Sequence, residues 1–388
     1  MKLLFYSDMV FSFGGVERVL AEIAKALSNN HDVTILTTDE CQDLSMYAYA
    51  QSQIKFEYLN YPHVLWVEKL TCKGYSFLFK KILSHNQFTS DLYARSSFLP
   101  SYRKLLIKKI RDGNYDIVIG VHAFVSLHLA AISRQVRVPV IGWMHNSYQA
   151  LFVKDNPYLP DLKDHFRFQM KHLKQLVVLS HNDVRLFMQE MELHSECIYN
   201  PLTLESKGKG GPWFQKFLAV GRFSHRHKGF DILIKAFAQF AKINTSWTLD
   251  IVGEGPEEEL YRSLVAEYAL EGRIMIYPFT KNIQQFYSKA SVYVLSSRWE
   301  GFGLVLVEAM AHGLPIISSD VPVALELLEG KGVGVFFENE GIESLAKQLH
   351  YMACEADLKK MGAKAYSYSQ MFDIHSTCKQ WNDLFQGL

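Results

Sequence analysis

The sequence predicts an α/β protein made of two doubly wound parallel-sheet domains. Short apolar runs alternate with helical patterns along the whole chain, as expected of a parallel sheet covered by helices. The alternation breaks once, near Asn200-Pro201 and the Gly/Lys/Ser stretch at 206–212, and then restarts. The chain has 388 residues, 48% of them hydrophobic, which is enough to bury the cores of two domains.

The elements follow in order. Residues 3–7 form the first apolar strand, and Gly14-Gly15 lies in a short loop after it. Val16, Val19, Leu20, Ile23, Ala24 and Leu27 then recur at helical spacing on one face. Residues 33–37, 117–119, 138–143 and 176–180 read as further strands. The stretch at 206–212 reads as a flexible connector. Beyond it, strands are expected at 217–220, 249–252, 274–277, 292–295 and 315–318. A helix after Phe230 carries Leu233, Ile234, Phe237 and Phe240 on one face. The expected domains are 1–200 and 201–365. Such sheets bind ligands at the carboxyl ends of their strands, so two facing domains imply a cleft.

Composition excludes several classes. Lys plus Arg total 41 and Asp plus Glu total 40, so net charge does not suggest a dedicated nucleic-acid binder. The five cysteines form no CxxC pair and read as reduced thiols of a cytoplasmic protein. Asp8 interrupts the first apolar run too early for a signal peptide. No apolar run approaches the ~18 residues of a membrane span. The stretch 61–111 is distinctive: ten Lys or Arg face two acids, with Trp66, Tyr75, Phe77, Phe79, Phe88, Tyr93, Phe98 and Tyr102 interleaved. It reads either as a peripheral contact with an anionic membrane or as an ordinary solvated face. It carries no recognised nucleic-acid motif.

Three features carry chemistry. Gly221-Arg222-Phe223 follows a strand and precedes Lys228-Gly229. Arg222 offers a planar fork and Lys228 a point charge to a diphosphate at a strand end. Next, the segment from Arg298 to Met310 leaves a strand, turns through Gly301 and Gly303, and enters a helix. Its glycines allow close approach of backbone to a ligand, and the helix start offers unpaired amides to a phosphate. Glu300 in the loop and Glu308 on the helix can each accept from a pair of hydroxyls. The plain alternative makes Glu300 a cap and Glu308 a surface residue, but an unpaired carboxylate in that apolar helix is costly. The third feature is His145, just after the strand at 138–143. A lone histidine there is either structural or catalytic.

Together these residues resemble the retaining GT-B glycosyltransferases of family 4 over essentially the whole chain. The most specific element is E-x7-E, here Glu300 and Glu308 inside Glu-Gly-Phe-Gly-x-x-x-x-Glu-Ala. The resemblance implies two Rossmann-like domains and transfer of a hexosyl or N-acetylhexosaminyl group from a nucleotide-diphosphate sugar, expected to be UDP-linked. It also implies retention at the anomeric carbon, and neither metal nor cofactor. Arg222 and Lys228 would bind the diphosphate, Glu300 the sugar hydroxyls and Glu308 the ribose hydroxyls. Backbone at Phe302, Gly303 and Leu304 would contact sugar and phosphate, Tyr277 and Pro278 the base, and Gly15 the diphosphate. His145 would sit near the anomeric carbon. The acceptor hydroxyl would lose its proton to the donor phosphate, so no dedicated base is assigned. A last helix at about 366–388 would cross back onto the first domain. A glycan or lipid-linked acceptor of cell-surface polysaccharide or lipopolysaccharide synthesis is expected. The alternatives are a non-hydrolysing sugar-nucleotide epimerase and a catalytically silent glycan-binding subunit.

Overall fold

The computed structural model describes residues 1–60, 66–205, 208, 214–224 and 227–388. Most of the expected connector at 206–212, and residues 61–65 at the start of the basic stretch, lie outside the described residues. The chain forms two compact units: Met1–Pro201 with Ile374–Leu388, and Leu202–Asp373.

The sheet of the first unit contains β1 (Lys2–Ser7), β2 (Asp32–Thr37), β3 (Lys55–Tyr58), β4 (Ile117–Val121), β5 (Val140–Trp143), β6 (Gln175–Val178) and β7 (Glu196–Cys197). These strands are parallel, in the order β3-β2-β1-β4-β5-β6-β7. The second unit contains β8 (Lys216–Val220), β9 (Thr248–Val252), β10 (Ile274–Tyr277), β11 (Val292–Leu295), β12 (Ile316–Ser319) and β13 (Gly334–Phe337). They too are parallel, in the order β10-β9-β8-β11-β12-β13. Strand order therefore reverses between β1 and β4 in one sheet and between β8 and β11 in the other. At such reversals the flanking loops diverge and leave a crevice outside the carboxyl ends of the strands.

Every central strand is legible as an apolar run because both its faces are covered by helices. Three edge strands are not. β3 reads Lys-Phe-Glu-Tyr and is half-buried, β7 has two residues, and β13 is only partly covered. Chemistry trims two expected strands. Pro139 lacks an N–H, so β5 begins at Val140, although the Pro139 carbonyl still accepts from Val118 (3.0 Å). Ser180 caps helix His181–Met191, accepting from the Asp183 amide at 3.0 Å, so β6 ends at Val178.

The basic stretch is less of a surface than its sequence suggests. Phe79, Tyr93 and Phe98 are core residues, and Phe79 stacks on Tyr93 at 4.5 Å. Phe79 and Tyr93 lie where helices Trp66–Lys81 and Gln87–Ser97 pack into the unit, and Phe98, just beyond the second helix, stacks on His128 (4.2 Å). Trp66, Phe77 and Phe88 remain exposed. At the other end of the chain, Tyr366 lies in helix Leu358–Ser369 of the second unit, and the returning segment begins at Ile374. Helix Ile374–Gln386 packs on helix Gly15–Leu27 and buries Trp381 edge-on to Trp143 (5.1 Å).

Candidate functional site

The second unit brings its reactive side chains together at the β8/β11 reversal. The loop after β8 is tightly held. Gly221 donates to the Val252 carbonyl (3.0 Å) and Phe223 to the Glu254 carbonyl (2.8 Å). The Phe223 ring is fully buried against Phe230 and Tyr261. It anchors the loop and leaves its neighbour Arg222 exposed, with no side-chain bond to the described residues.

Gly229 opens helix Phe230–Ala241 with φ of +61°. A Cβ there would sit 2.0 Å from the Ser296 carbonyl oxygen, so only glycine lets the two strand ends approach this closely. Ser296 Oγ donates to the Lys228 carbonyl (2.7 Å), joining the same two segments. The outcome is a buried ion pair, Lys228 Nζ to Glu300 Oε1 at 2.6 Å. Ser297 Oγ donates to that same oxygen (2.6 Å), and no described residue donates to Oε2. Burial alone would push the Glu300 carboxyl up. The Lys228 charge, His227 and the two hydrogen bonds outweigh it and hold the group below the usual carboxylate range.

Flanking contacts fix the loop that carries Glu300. Arg298 makes two 2.9 Å bonds to Asp231. Trp299 stacks on His227 at 4.6 Å, and the His227 ring is bonded to the Trp299 carbonyl (2.7 Å). Gly303, at φ of +77°, then starts helix Leu304–Ala311 without a side-chain cap. The first-turn amides of a helix have no partner within it, so Gly303 and Leu304 present donors beside Glu300. Phe302 is buried against Phe372 (6.1 Å) and turns the chain into this helix.

Glu308 is 2% exposed, which removes the surface-residue alternative. Tyr287 donates to its Oε2 at 2.9 Å, and His312 stacks on Tyr287 at 4.8 Å. Tyr293, fully buried on β11, donates to the Val220 carbonyl (3.4 Å). Its hydroxyl pKa is driven well above normal by burial and then by the charges of Glu300 and Glu308. One tyrosine thus feels both carboxylates. Tyr277 ends β10 two strands from β8; its carbonyl accepts from Gly253 (3.0 Å), its ring meets Phe286 (4.9 Å), and Pro278 beside it is exposed.

Two expected residues belong to the first unit. Gly15 is the exposed first residue of helix Gly15–Leu27, after a loop in which the Gly14 amide donates to the Tyr47 hydroxyl (3.2 Å). His145 follows β5, buried against Trp143 at 4.2 Å. Burial and the nearby His122 push its pKa down to about 3, so its ring is neutral. Sequence reasoning missed Ser297, Tyr287 and Tyr293. Ser297 could have been found from its place at a strand end three residues before Glu300. The two tyrosines meet the carboxylates only through the tertiary fold.

The assembled site is a carboxylate pair and a lysine next to a helix start, at the point of a parallel sheet where ligands bind. It can hold hydroxyls on the carboxylates and a phosphate on cations and amides. Residues 13–206 match the family model described as Glycosyltransferase Family 4, and residues 213–368 match the one described as Glycosyl transferases group 1. The amylovoran biosynthesis glycosyltransferase AmsD of Erwinia amylovora is 30% identical over 390 residues, spanning 99% of both chains. HepE of Anabaena, solved with UDP and glucose, superposes with a TM-score of 0.77 at 20% identity over 100% of both chains. The lipopolysaccharide outer core galactosyltransferase WaaB superposes with a TM-score of 0.69 at 19% identity, again over 100% of both.

Proposed function

The chain belongs to the family 4 glycosyltransferases, with two Rossmann-like GT-B domains, and from that membership we propose that it transfers a hexosyl or N-acetylhexosaminyl group from a UDP-linked sugar to a glycan or lipid-linked acceptor with retention. The observation that carries this reading is the buried Lys228–Glu300 pair, one carboxylate oxygen left over, eight positions before buried Glu308. In this reading Glu300 Oε2 accepts from hydroxyls of the transferred sugar and Glu308 from the ribose. Lys228 has donors beyond the one given to Glu300. With Arg222 and the amides at Phe302, Gly303 and Leu304, these neutralise the leaving diphosphate, so the reaction needs no metal or cofactor. The resemblance also gives Gly15 and His145, of the first unit, roles toward the donor, and Tyr277 and Pro278 a role toward its base. The likeness to a polysaccharide glycosyltransferase supports a role in surface polysaccharide or lipopolysaccharide synthesis. Titrating the protein with a panel of nucleotide sugars, then following the anomeric proton of the product by NMR, tests the reading. Binding of no panel member, or an inverted product, overturns it.

We further infer that the protein works at the cytoplasmic face of an anionic membrane. Trp66, Leu70, Phe77, Ile82 and Phe88 are 60–76% exposed, close to Lys69, Lys73 and Lys81. Apolar side chains among cations are what an anionic bilayer surface takes up. Among the described residues no helix is long and apolar enough to cross a membrane. Sedimentation with phosphatidylglycerol vesicles tests the contact: W66S/L70S/F77S should lose most of the bound fraction, and unchanged binding overturns it.

A further inference from the structure

Three residues follow β11 in the second unit: Ser296, Ser297 and Arg298. The outer two are tied to the segment after β8. Ser296 Oγ donates to the Lys228 carbonyl (2.7 Å). The Arg298 amide donates to the His227 carbonyl (2.9 Å), and its guanidinium holds Asp231. Ser297 between them is fully buried, and its hydroxyl takes no part in that tie. A buried hydroxyl needs an acceptor, and backbone is the common one. At the end of β12, Ser318 Oγ donates to the Ser319 carbonyl (2.8 Å) and Ser319 Oγ to the Ser297 carbonyl (2.7 Å). Ser297 differs from these neighbours: its hydroxyl donates to a side chain, Glu300 Oε1, at 2.6 Å. The backbone of Ser297 is thus held from both sides, and its hydroxyl is left to act on the carboxylate alone.

We propose that Ser297 is a positioning residue for recognition of the transferred sugar, acting through Glu300; this rests on the glycosyltransferase reading above. Each oxygen of an ionised carboxylate offers two lone-pair sites. On Oε1 one accepts from Lys228 (2.6 Å) and the other from Ser297 (2.6 Å), so that oxygen is fully engaged. Oε2 accepts from no described residue, in a side chain only 6% accessible. A buried acceptor in that state is costly until a ligand O–H reaches it. Lys228 by itself does not decide which oxygen faces the ligand. A lysine is a point charge on a flexible stem, and either carboxylate oxygen can meet it. The last torsion of a glutamate is broad and roughly two-fold, so packing alone fixes it weakly. A hydroxyl at a braced strand end removes the ambiguity. Ser297 holds the carboxylate plane with Oε2 as the one oxygen offered to the sugar. Since Oε2 only accepts, the group it selects on the sugar is a hydrogen-bond donor.

The test compares UDP, which carries base, ribose and diphosphate but no sugar, with UDP-glucose and UDP-N-acetylglucosamine. Each is titrated by calorimetry into wild type, S297A, E300Q and S297A/E300Q. The bond that S297A removes is to a charged group, so Kd for the UDP-sugar that wild type binds should rise about 10-fold. Kd for UDP should stay within about twofold, because UDP places nothing on Glu300. A serine that only supported the fold would weaken both ligands alike. In the E300Q background, adding S297A should change the UDP-sugar Kd by less than about twofold, since the serine acts through the carboxylate. A UDP-sugar Kd within twofold of wild type in S297A, equal losses for UDP and UDP-sugar, or a larger further loss in S297A/E300Q overturns the role of Ser297 and leaves the glycosyltransferase reading standing. Failure of wild type to bind either UDP-sugar overturns that reading, and the role of Ser297 with it.

Discussion

Lys228 Nζ lies 2.6 Å from Glu300 Oε1, with side chains only 14% and 6% accessible. Removing one partner of such a pair leaves a buried charge alone and costs about 3–5 kcal/mol. K228M and E300Q should each lower the urea midpoint accordingly. K228M/E300Q should lose less than the sum of the two, because it removes the stranded charge as well as the bond. All three should lose sugar transfer. Strictly additive losses would mean that the two groups do not interact.

Glu308 and Tyr287 are the second buried pair, 2.9 Å apart. E308A should weaken nucleotide-sugar affinity by about 10-fold or more, the loss of hydrogen bonds to a charged group. Y287F keeps the carboxylate and should cost about 1 kcal/mol of stability and little affinity. Calorimetry with UDP-sugars separates the two effects. Equal affinity loss in both variants would make Glu308 a structural rather than a ligand-holding group.

The legible part of the fold is the part whose physics is local. Central strands such as β4 and β11 are continuous apolar runs because both faces are covered. Edge strands β3 and β7 carry Lys55, Glu57 and Glu196 and give no such signal. Glu300, Glu308 and Lys228 are legible because glycines and strand ends frame them within short windows. Tyr293 is not, since it stands in an apolar strand like any core residue and meets the carboxylates only once the sheet forms. His122 is illegible for another reason: nothing in Gly120-Val121-His122-Ala123 announces a positive φ at a histidine. Phe79, Tyr93 and Phe98 misled because composition does not say which face of a helix is covered.

Positive charge for the leaving diphosphate comes from Arg222, Lys228 and helix-start amides in the proposed mechanism. Turnover should therefore persist after dialysis against EDTA, within about twofold, whereas R222A should lower it by roughly 100-fold. Loss of turnover in EDTA, restored by Mg2+ or Mn2+, would contradict this assignment.

Buried histidines set the acid limb of stability, His128, His145 and His165 among them. Burial pushes His128 down to about 4, and burial with the nearby His122 pushes His145 down to about 3. Both titrate near 6.5 when unfolded. Between those values the unfolded chain binds more protons, so stability must fall as pH drops below 6.5, and the loss is complete only below the folded values. Glu300, with its carboxyl below 4.5, contributes only further down. Urea midpoints at pH 7, 5.5 and 4.5 should decline in wild type, and H128Q should flatten the decline. Parallel curves for the two proteins would show that His128 is charged when folded.

Gly229 and Gly272 both have positive φ, +61° and +81°, but differ in what a side chain would meet. A Cβ on Gly272 has nothing within 4 Å, whereas on Gly229 it lies 2.0 Å from the Ser296 carbonyl oxygen. G272A should therefore cost only the left-handed strain, roughly 1–2 kcal/mol. G229A carries that strain and must also push β11 away from the Lys228 turn, so it should cost more. Because Ser296 and Lys228 are tied at 2.7 Å, the shift also displaces Lys228 from Glu300. G229A should consequently lose donor affinity while G272A keeps it. Equal stability loss in both, with donor affinity intact, would show that the strand ends can separate without disturbing the site.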